Sequence, residues 1–288
     1  MSIYVSKETR VVVQGITGNE GSFHTRQMLH FGTNIVAGVT PGRGGHAVEG
    51  VPVYEHVSDA VAKHGANTSV VFVPARFARS AISEAIEAGI KTIIVITESI
   101  PLKDSIELFS MAQQAGATII GPNTAGILSP LARVSVGIMP GHIFRPGNTG
   151  MVSRSGTLTY EIASQITNAG LGQSTCVGIG GDPMVGTDFI SVLERLKDDN
   201  ETKAVVLIGE IGGNKEELAA KYIKETNYPK KVVAYIAGKA APPEKRMGHA
   251  GAIIMGNTGT AKGKVEALRE AGAAVADKPS DVPRLLMA

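Results

Sequence analysis

The stretch TRVVVQGITGNEG, residues 9–21, joins an apolar β-branched run to three glycines at three-residue spacing. The run predicts a buried strand, and Gly15, Gly18 and Gly21 predict a tight turn into a helix. Backbone amides at such a turn, together with the positive end of a helix, attract phosphate groups. This stretch therefore predicts an α/β fold with a phosphate-binding site after its first strand.

The same alternation of strand and helix continues along the chain. Strand-like runs in the first part are TRVVVQG, NIVAGVT, SVVFVPA, KTIIVITE and ATIIGP, and RSAISEAIEAGI between them has helical spacing. Further runs follow in TGMVSRSG, STCVGIGG, KAVVLIGE, KKVVAYIAG and AAVADKP, with helical stretches such as DFISVLERLKDD and NKEELAAKYIKE. Apolar strands at this spacing are typical of open parallel sheets covered by helices on both faces.

Residues 123–148 interrupt this alternation, because they are irregular and contain Pro130, Pro140 and Pro146. We therefore predict a first domain over residues 1–122, a linker over 123–148 and a second domain over 149–288. A length of 288 residues fits two domains of ordinary size. In both sheets, ligands are expected at the carboxyl ends of the strands.

The composition excludes several classes of protein. Hydrophobic residues make up 43% and charged residues 19%, and no apolar run is long enough to span a membrane. A net charge of +2 with interspersed signs argues against nucleic-acid binding. The N-terminus has no signal-peptide pattern, which predicts the cytoplasm, or the mitochondrial matrix if a transit peptide has been removed. The single cysteine, Cys176, predicts a buried thiol and rules out a disulfide or a cysteine metal site within the chain.

The first domain departs from the dinucleotide pattern at two points. Its glycines read GxxGxxG rather than GxGxxG, and TPGRGG stands after strand two, where an NAD site would carry an acidic residue. Arg43 in that segment favours a phosphate on the ribose, which leaves NADP or coenzyme A as candidates. Thr97 and Glu98 in ITESIP add polar groups at the same edge, with helix capping as the alternative role.

The second domain repeats the phosphate-binding pattern in MVSRSGTLTYE, residues 151–161. Two hydroxyls, Ser153 and Ser155, then Gly156 and Thr157, stand where a strand passes into a helix, so they predict a second anion site.

A hydrolase is the rival interpretation of this segment, since Ser155, Asp182 and His249 follow the chain order of an α/β-hydrolase triad. The G-x-S-x-G pattern around the nucleophile fails, however, because Ser153 and Thr157 occupy the glycine positions.

His249 lies in KRMGHAGAII, between the small residues Gly248 and Ala250, and this setting predicts an accessible imidazole. Glu210 ends the buried run VVLIGE at the ligand edge of the second sheet. A carboxylate there can accept a hydrogen bond from the imidazole and fix its tautomer. An accessible histidine, a carboxylate partner and a phosphate-binding helix predict a histidine that carries a phosphoryl group. Metal binding is the competing use, but no second His or Cys lies nearby in the sequence, so we predict no metal.

At this point the motifs match a known family over essentially the whole chain. GITGNEG, VTPGRGG, ITESIP, GPNTAG, GIMPGH, SRSGTLTYE, GIGGDP, GEIGG and KRMGHAGAI occur in the order seen in the α subunit of succinyl-CoA synthetase. The resemblance implies a Rossmann-like CoA-binding domain followed by a flavodoxin-like, open parallel-sheet ligase domain. It also implies a β subunit with an ATP-grasp site that binds Mg²⁺ with ATP or GTP.

The resemblance implies a role for individual residues as well. The acid is activated as an acyl phosphate, CoA displaces phosphate, and the phosphoryl group is carried on His249 with Glu210 in support. Ser155, Gly156 and Thr157 would hold that phosphoryl group. The expected CoA contacts are Thr17, Gly18, Asn19, Glu20, Arg43, Ile96, Thr97 and Glu98, and the expected substrate contacts are Tyr160, Asn123 and Thr124.

Two positions depart from many members of that family. Arg43 stands where many have lysine, which keeps the charge, and GPNTAG stands where many have GPNCPG. Thr124 and Ala125 lie where CoA and substrate are expected to meet. Malate–CoA ligase and the synthetase-like part of ATP-citrate lyase share these motifs. A succinate–CoA ligase α subunit is the main prediction, with a malate–CoA ligase subunit and a non-catalytic CoA-binding regulatory protein as alternatives.

Overall fold

A computed structural model describes residues 3–242, 245–256 and 258–288 of the chain. The strands of its first part are β1 (Val11–Gln14), β2 (Ile35–Val39), β3 (Ala47–Val48), β4 (Val51–Tyr54), β5 (Thr68–Val71), β6 (Thr92–Val95) and β7 (Thr118–Ile120). The helices between them are α1 (Asn19–Phe31), α2 (Val57–His64), α3 (Ala75–Glu87) and α4 (Leu102–Gln114). These strands form one sheet in the order β3-β4-β2-β1-β5-β6-β7, which is parallel except for the β3–β4 pair.

The second part forms another sheet. Its strands are β8 (Gly126–Ser129), β9 (Val134–Gly137), β10 (Pro146–Ser153), β11 (Gln173–Gly178), β12 (Ala204–Glu210), β13 (Lys231–Ala237) and β14 (Ala274–Ala276). Its helices are α5 (Gly156–Asn168), α6 (Phe189–Asp198), α7 (Lys215–Glu225), α8 (Ala261–Glu270) and α9 (Val282–Met287). The order is β14-β13-β12-β10-β11-β8-β9, with β10 to β14 parallel.

Burial explains why the predicted runs form central strands. Val11, Val12 and Val13 are completely buried although their side chains alternate between the two faces of β1. A strand that is apolar on both faces is stable only when helices cover both sides of the sheet, as they do here. The predicted α/β class, with a Rossmann-like sheet followed by a second open parallel sheet, is confirmed.

The segment predicted as a linker, residues 123–148, contains more regular structure than its prolines and glycines suggested. β8 and β9 within it pair with each other in antiparallel fashion, and β8 also pairs with β11, so both strands extend the second sheet. Their side chains are buried, with Ile127 and Leu128 inaccessible to solvent. Each strand has four residues and lies among prolines and glycines, so neither gives an uninterrupted apolar run like the one that predicted β1. The division into two domains stays a prediction.

Both sheets change direction at a central strand. The chain passes from β1 to β2 on one side and returns to β5 on the other, and β10 likewise lies between β11 and β12. The carboxyl ends of strands at such a reversal bound a crevice that commonly holds ligands. None of the helices among the described residues is long and apolar enough to cross a membrane.

Candidate functional site

His249 and Glu210 are hydrogen-bonded at the carboxyl edge of the second sheet. Glu210 is the last residue of β12, and His249 lies in the loop between β13 and α8. The Nδ1 atom of His249 is 2.9 Å from both carboxylate oxygens of Glu210. This hydrogen bond raises the pKa of His249, against the opposing effect of burial. Because a carboxylate only accepts hydrogen bonds, Nδ1 carries the proton and the neutral ring keeps a lone pair on Nε2.

A glycine provides the space in which the imidazole ring lies. A Cβ atom on Gly181, which follows β11, would stand 2.3 Å from Cγ of His249 and 2.5 Å from Nδ1. The amide of Gly251 donates to the carbonyl of Gly181 at 3.2 Å and holds the histidine loop against this segment. Gly248 has φ +77°, which brings the chain into the loop through a conformation that L side chains rarely adopt.

A cavity of about 250 Å³ opens beside the histidine. Its wall includes Glu98 from the segment after β6, Asn123, Asp182 and His249 itself. The side-chain amide of Asn123 donates to Asp182 at 2.9 Å. Since Asp182 bonds Asn123 while Glu210 holds the imidazole, the geometry does not match the hydrolase triad weighed from the sequence.

Two further cavities form a groove over the first sheet. One of about 430 Å³ includes Thr17 and Gly18, and one of about 360 Å³ includes Glu20 and Glu98. The two share a wall of Phe72, Val73 and Pro74. Glu98 borders both the second of these cavities and the histidine cavity. The three cavities therefore lie in a row that leads from the glycine turn to His249.

The glycine turn has the close approach that its spacing predicted. Gly15 has φ +83°, and a Cβ on Gly21 would lie 2.2 Å from the carbonyl oxygen of Gly15, so α1 packs directly on the end of β1. Gly18 caps α1 without a side-chain hydrogen bond. Because glycine has no side chain, the N-cap position leaves the first amides of α1 open to a bound phosphate.

Six of the eight predicted CoA contacts line the two groove cavities. Thr17 and Gly18 line the first groove cavity, and Glu20, Ile96, Thr97 and Glu98 line the second. Asn19 begins α1 between these groups.

Arg43 lies on an exposed turn after Thr40 and Pro41, which line the first cavity, but does not itself line it. The carboxylate of Glu55 accepts hydrogen bonds from the backbone amides of Gly42 and Gly44, at 2.6 Å each, and thereby fixes this turn.

The second predicted anion site has the expected helix geometry. Ser155 is the N-cap of α5, and its hydroxyl accepts the amide of Leu158 at 3.3 Å. Gly156 and Thr157 form the first turn. These three residues are not on the wall of the His249 cavity, so their phosphate-holding role stays a prediction.

The predicted substrate residues are only partly brought together. Asn123 lines the His249 cavity, whereas the hydroxyl of Thr124 is buried and donates to the carbonyl of Gly178 at 2.5 Å. Burial raises the pKa of Tyr160 to about 12, and a Cβ on Gly156 would lie 3.6 Å from its hydroxyl oxygen. Contact of Tyr160 and Thr124 with substrate stays a prediction.

Some residues around the site are not among those predicted from the sequence. Gly181 lies behind the histidine ring, and Arg154 lies 3.4 Å from Glu210. His24 stacks on Phe72 in the groove, with ring centroids 5.6 Å apart. A charged residue directly after an apolar strand was the available signal for Arg154. The described residues contain no group of three or more His, Cys, Asp or Glu side chains arranged to hold a metal ion.

Two protein families match separate parts of the chain. Residues 6–99 match the CoA binding domain family, and residues 152–274 match the CoA-ligase family. The chain is 59% identical over 286 residues to succinate–CoA ligase [ADP-forming] subunit alpha 2 of Archaeoglobus fulgidus, covering 99% of each chain. It is 56% identical to the corresponding alpha subunit of Aquifex aeolicus, covering 98% of this chain and 92% of that one.

A solved structure shows the same fold. ATP citrate lyase from Methanothrix soehngenii, in complex with citrate and coenzyme A, superposes with a TM-score of 0.90 at 27% identity. The match covers 99% of this chain and 50% of the lyase, so the chain spans half the length of that protein. Identity above 50% over nearly full length to named α subunits is the stronger relationship, and by it this chain belongs to the family of succinate–CoA ligase α subunits.

Proposed function

We propose that the chain is the α subunit of an ADP-forming succinate–CoA ligase, which converts succinate, CoA and ATP into succinyl-CoA, ADP and phosphate. The observation that carries this proposal is the row of cavities that joins the groove of the CoA-binding region to His249 through Glu98. The names of the relatives support succinate as the acid and ATP as the nucleotide.

His249 carries the phosphoryl group in this proposal. Its Nε2 lone pair attacks phosphorus, an N–P bond forms, and the P–O bond to the departing ADP breaks. The Nδ1 proton stays between the ring and Glu210, so the carboxylate balances the positive charge that develops on the imidazole. A carboxylate oxygen of succinate then takes the phosphoryl group, and the N–P bond breaks.

CoA completes the reaction. Its thiol sulfur attacks the acyl carbon of succinyl phosphate, the C–O bond to phosphate breaks, and the thiol proton leaves with phosphate or solvent. The groove lined by Thr17, Gly18, Phe72 and Pro74 would hold the nucleotide part of CoA. The second groove cavity ends at Glu98, which also borders the histidine cavity. The thiol end of CoA would lie there, facing the histidine cavity.

The proposal includes a partner chain. The relatives are named as α subunits, which implies a second subunit of the ligase. We assign to it the ATP-grasp site with Mg²⁺ and nucleotide, and to this chain the CoA-binding domain of residues 1–122 and the ligase domain of residues 149–288. Relatives from an archaeon and a bacterium, whose cells lack mitochondria, support the cytoplasm as the compartment.

Coexpression of the chain with its β subunit, followed by an assay against a panel of acids, tests the proposal. We expect CoA-dependent ADP release with succinate that exceeds the rate with malate, citrate or acetate. Faster turnover with malate would favour the malate–CoA ligase alternative. CoA binding without ADP release for any acid would favour a non-catalytic CoA-binding protein. Binding of NADP in place of CoA would contradict the assignment of the groove.

A further inference from the structure

A buried group of charges adjoins the His249–Glu210 pair. It consists of Arg154 after β10, Glu216 in the first turn of α7 and Lys264 in the first turn of α8. Their side chains are 3%, 0% and 0% exposed, respectively. Arg154 and Lys264 pair with the carboxylates of Glu210 and Glu216, and Glu217 lies 3.7 Å from Lys264. Because charges of this kind are costly to bury, each needs partners, and those partners fix its position.

Arg154 is the member that reaches the site. Its Nη2 atom is 3.4 Å from a carboxylate oxygen of Glu210, and its Nη1 atom is 3.0 Å from Oε1 of Glu216. Nη1 also donates to the carbonyl of Gly212 at 3.1 Å. The guanidinium therefore contacts the carboxylate of Glu210 on one side and the turn after β12 on the other. Its planar fork suits this double contact, which a single ammonium group cannot reproduce.

Glu216 anchors the other side. Its Oε1 accepts hydrogen bonds from the backbone amide of Glu210, at 3.1 Å, and from Arg154. Its Oε2 accepts a hydrogen bond from the ammonium group of Lys264. Lys264 also donates to the carbonyl of Gly212 at 2.7 Å. A Cβ on Gly209 would lie 2.6 Å from Cγ of Glu216, so this side chain lies directly on the end of β12. The turn that carries Glu210 is thus held by both α7 and α8.

We propose that Arg154 is a positioning residue that holds the carboxylate of Glu210 against His249, and that Glu216 and Lys264 hold Arg154 in turn. This inference rests on the proposed phosphoryl-carrier role of His249. Arg154 fixes the acceptor for the Nδ1 proton and so keeps the Nε2 lone pair available. Its positive charge also offsets the negative charge of Glu210, so that the pair does not draw a second proton onto the ring.

The surroundings of the ring define what a change at Arg154 should do. The charged groups around His249 are Glu210, Arg154 and Asp182, with Glu98 and Arg246 on the walls of the same cavity. Arg154 opposes protonation of the imidazole, whereas Glu210 and Asp182 favour it. Loss of Arg154 leaves the Glu210 carboxylate to be balanced by the imidazole, which should then bind a proton more tightly.

The test uses Arg154→Met in the assembled two-subunit complex. Two quantities are measured: the pKa and tautomer of His249 by NMR of the labelled imidazole, and the pH dependence of His249 phosphorylation by ATP. We expect the pKa of His249 and the acid limb of phosphorylation to rise by about one pH unit. The rate at neutral pH should fall by about ten-fold, as for other residues that orient a reacting group. Arg79→Met, which removes an exposed arginine paired with Asp104 and Glu107, should change neither.

Two further variants separate positioning from folding. Arg154→Lys keeps the charge but offers one donor group, so the pKa of His249 should stay near that of the unaltered complex while the rate falls. Lys264→Met removes the ion pair that holds Glu216 and should reduce the rate of phosphorylation. Lys262→Met changes an exposed residue of the same helix and should not reduce it. If Arg154→Met does not assemble, these variants decide the question.

Opposite results would overturn the inference. An unshifted acid limb and unchanged tautomer in Arg154→Met would show that the arginine only stabilises the fold. Equal phosphorylation rates in Lys264→Met and Lys262→Met would show that Lys264 of α8 does not help to hold Arg154 and Glu210 in place. The proposed function fails separately, since it requires phosphorylation of His249 in the unaltered complex, whereas the NMR titration reports on Arg154 even without phosphorylation.

Discussion

Nδ1 of His249 lies 2.9 Å from both carboxylate oxygens of Glu210, so one ring N–H is shared between two acceptors. This contact fixes the orientation of the ring at the end of the row of three cavities. It also assigns the reactive lone pair to Nε2. The chemistry proposed for the chain depends on this arrangement, and each element of it can be changed separately.

Replacing Glu210 with Gln should impair phosphorylation without abolishing assembly. The amide can still accept a hydrogen bond but cannot balance the charge that develops on the imidazole, so we expect a rate about 10- to 100-fold lower. The pKa of His249 should also fall, because its hydrogen bond to the Glu210 carboxylate is the main cause of the raised value. Rapid-quench measurement of phosphohistidine checks the rate, and an unchanged rate would exclude support by Glu210.

Gly181→Ala should displace the histidine ring. The new Cβ would lie 2.3 Å from Cγ of His249, which forces the ring away from Glu210. We expect the loss of most phosphorylation with normal CoA binding, measured by calorimetry on the same complex. Gly263→Ala in α8 is the matched control, because its Cβ would lie 3.2 Å from the Thr260 hydroxyl, outside the site. Full phosphorylation in Gly181→Ala would show that the ring does not need this position.

The pH dependence should follow the raised pKa of His249. The ring accepts a phosphoryl group only when Nε2 is unprotonated, so phosphorylation should increase with pH and reach half its maximum above 6.5, the ordinary value. An acid limb centred below that value would contradict the hydrogen-bonded geometry.

The raised pKa of His249 also affects stability, but in the opposite direction: phosphorylation increases with pH, whereas the contribution of His249 to stability decreases. Because the folded state binds the proton more tightly, His249 contributes stability that is fully present below about 6.5 and is lost as pH rises through the raised pKa. The difference in melting temperature between the unaltered complex and His249→Asn should therefore shrink from pH 6 to pH 9.

Arg43→Ala should weaken CoA binding selectively. A charge-assisted contact with a CoA phosphate is worth about 1.5–3 kcal/mol, so the apparent KM for CoA should rise by about one to two orders of magnitude. Phosphorylation of His249 should be unaffected. Steady-state kinetics at varied CoA provide the measurement, with Arg79→Ala as an exposed control. Unchanged dependence on CoA would remove Arg43 from the binding site.

Strands in uninterrupted apolar runs were predictable from the sequence even where they are short, as β1 is, whereas strands among prolines and glycines and contacts between distant elements were not. Runs such as VVLIGE are apolar on both faces and end at a polar residue, so both β12 and the position of Glu210 follow from local pattern. The β8–β9 pair was not predicted because both strands lie among prolines and glycines, and because β8 joins the sheet through a strand distant in sequence, β11.

The site shows the same division. The pairing of His249 with Glu210 was predictable because strand ends in an open sheet share one edge. The role of Gly181 as a wall was not, since a missing Cβ gives no signal until the facing ring is known. Arg154, Glu216 and Lys264 come from three separate elements, and their contacts arise only when those elements pack. Thr124, expected at the substrate, uses its hydroxyl to bond the carbonyl of Gly178 at the end of β11.

The most direct test of the account is the phosphorylation of His249 itself. The complex with its β subunit is incubated with Mg²⁺ and γ-labelled ATP, and the modified residue is located by mass spectrometry. We predict an acid-labile, base-stable label on His249 that is discharged by succinate together with CoA and is absent from an assembled His249→Asn complex. A label that persists in His249→Asn, or full ligase turnover in that variant, would contradict the account.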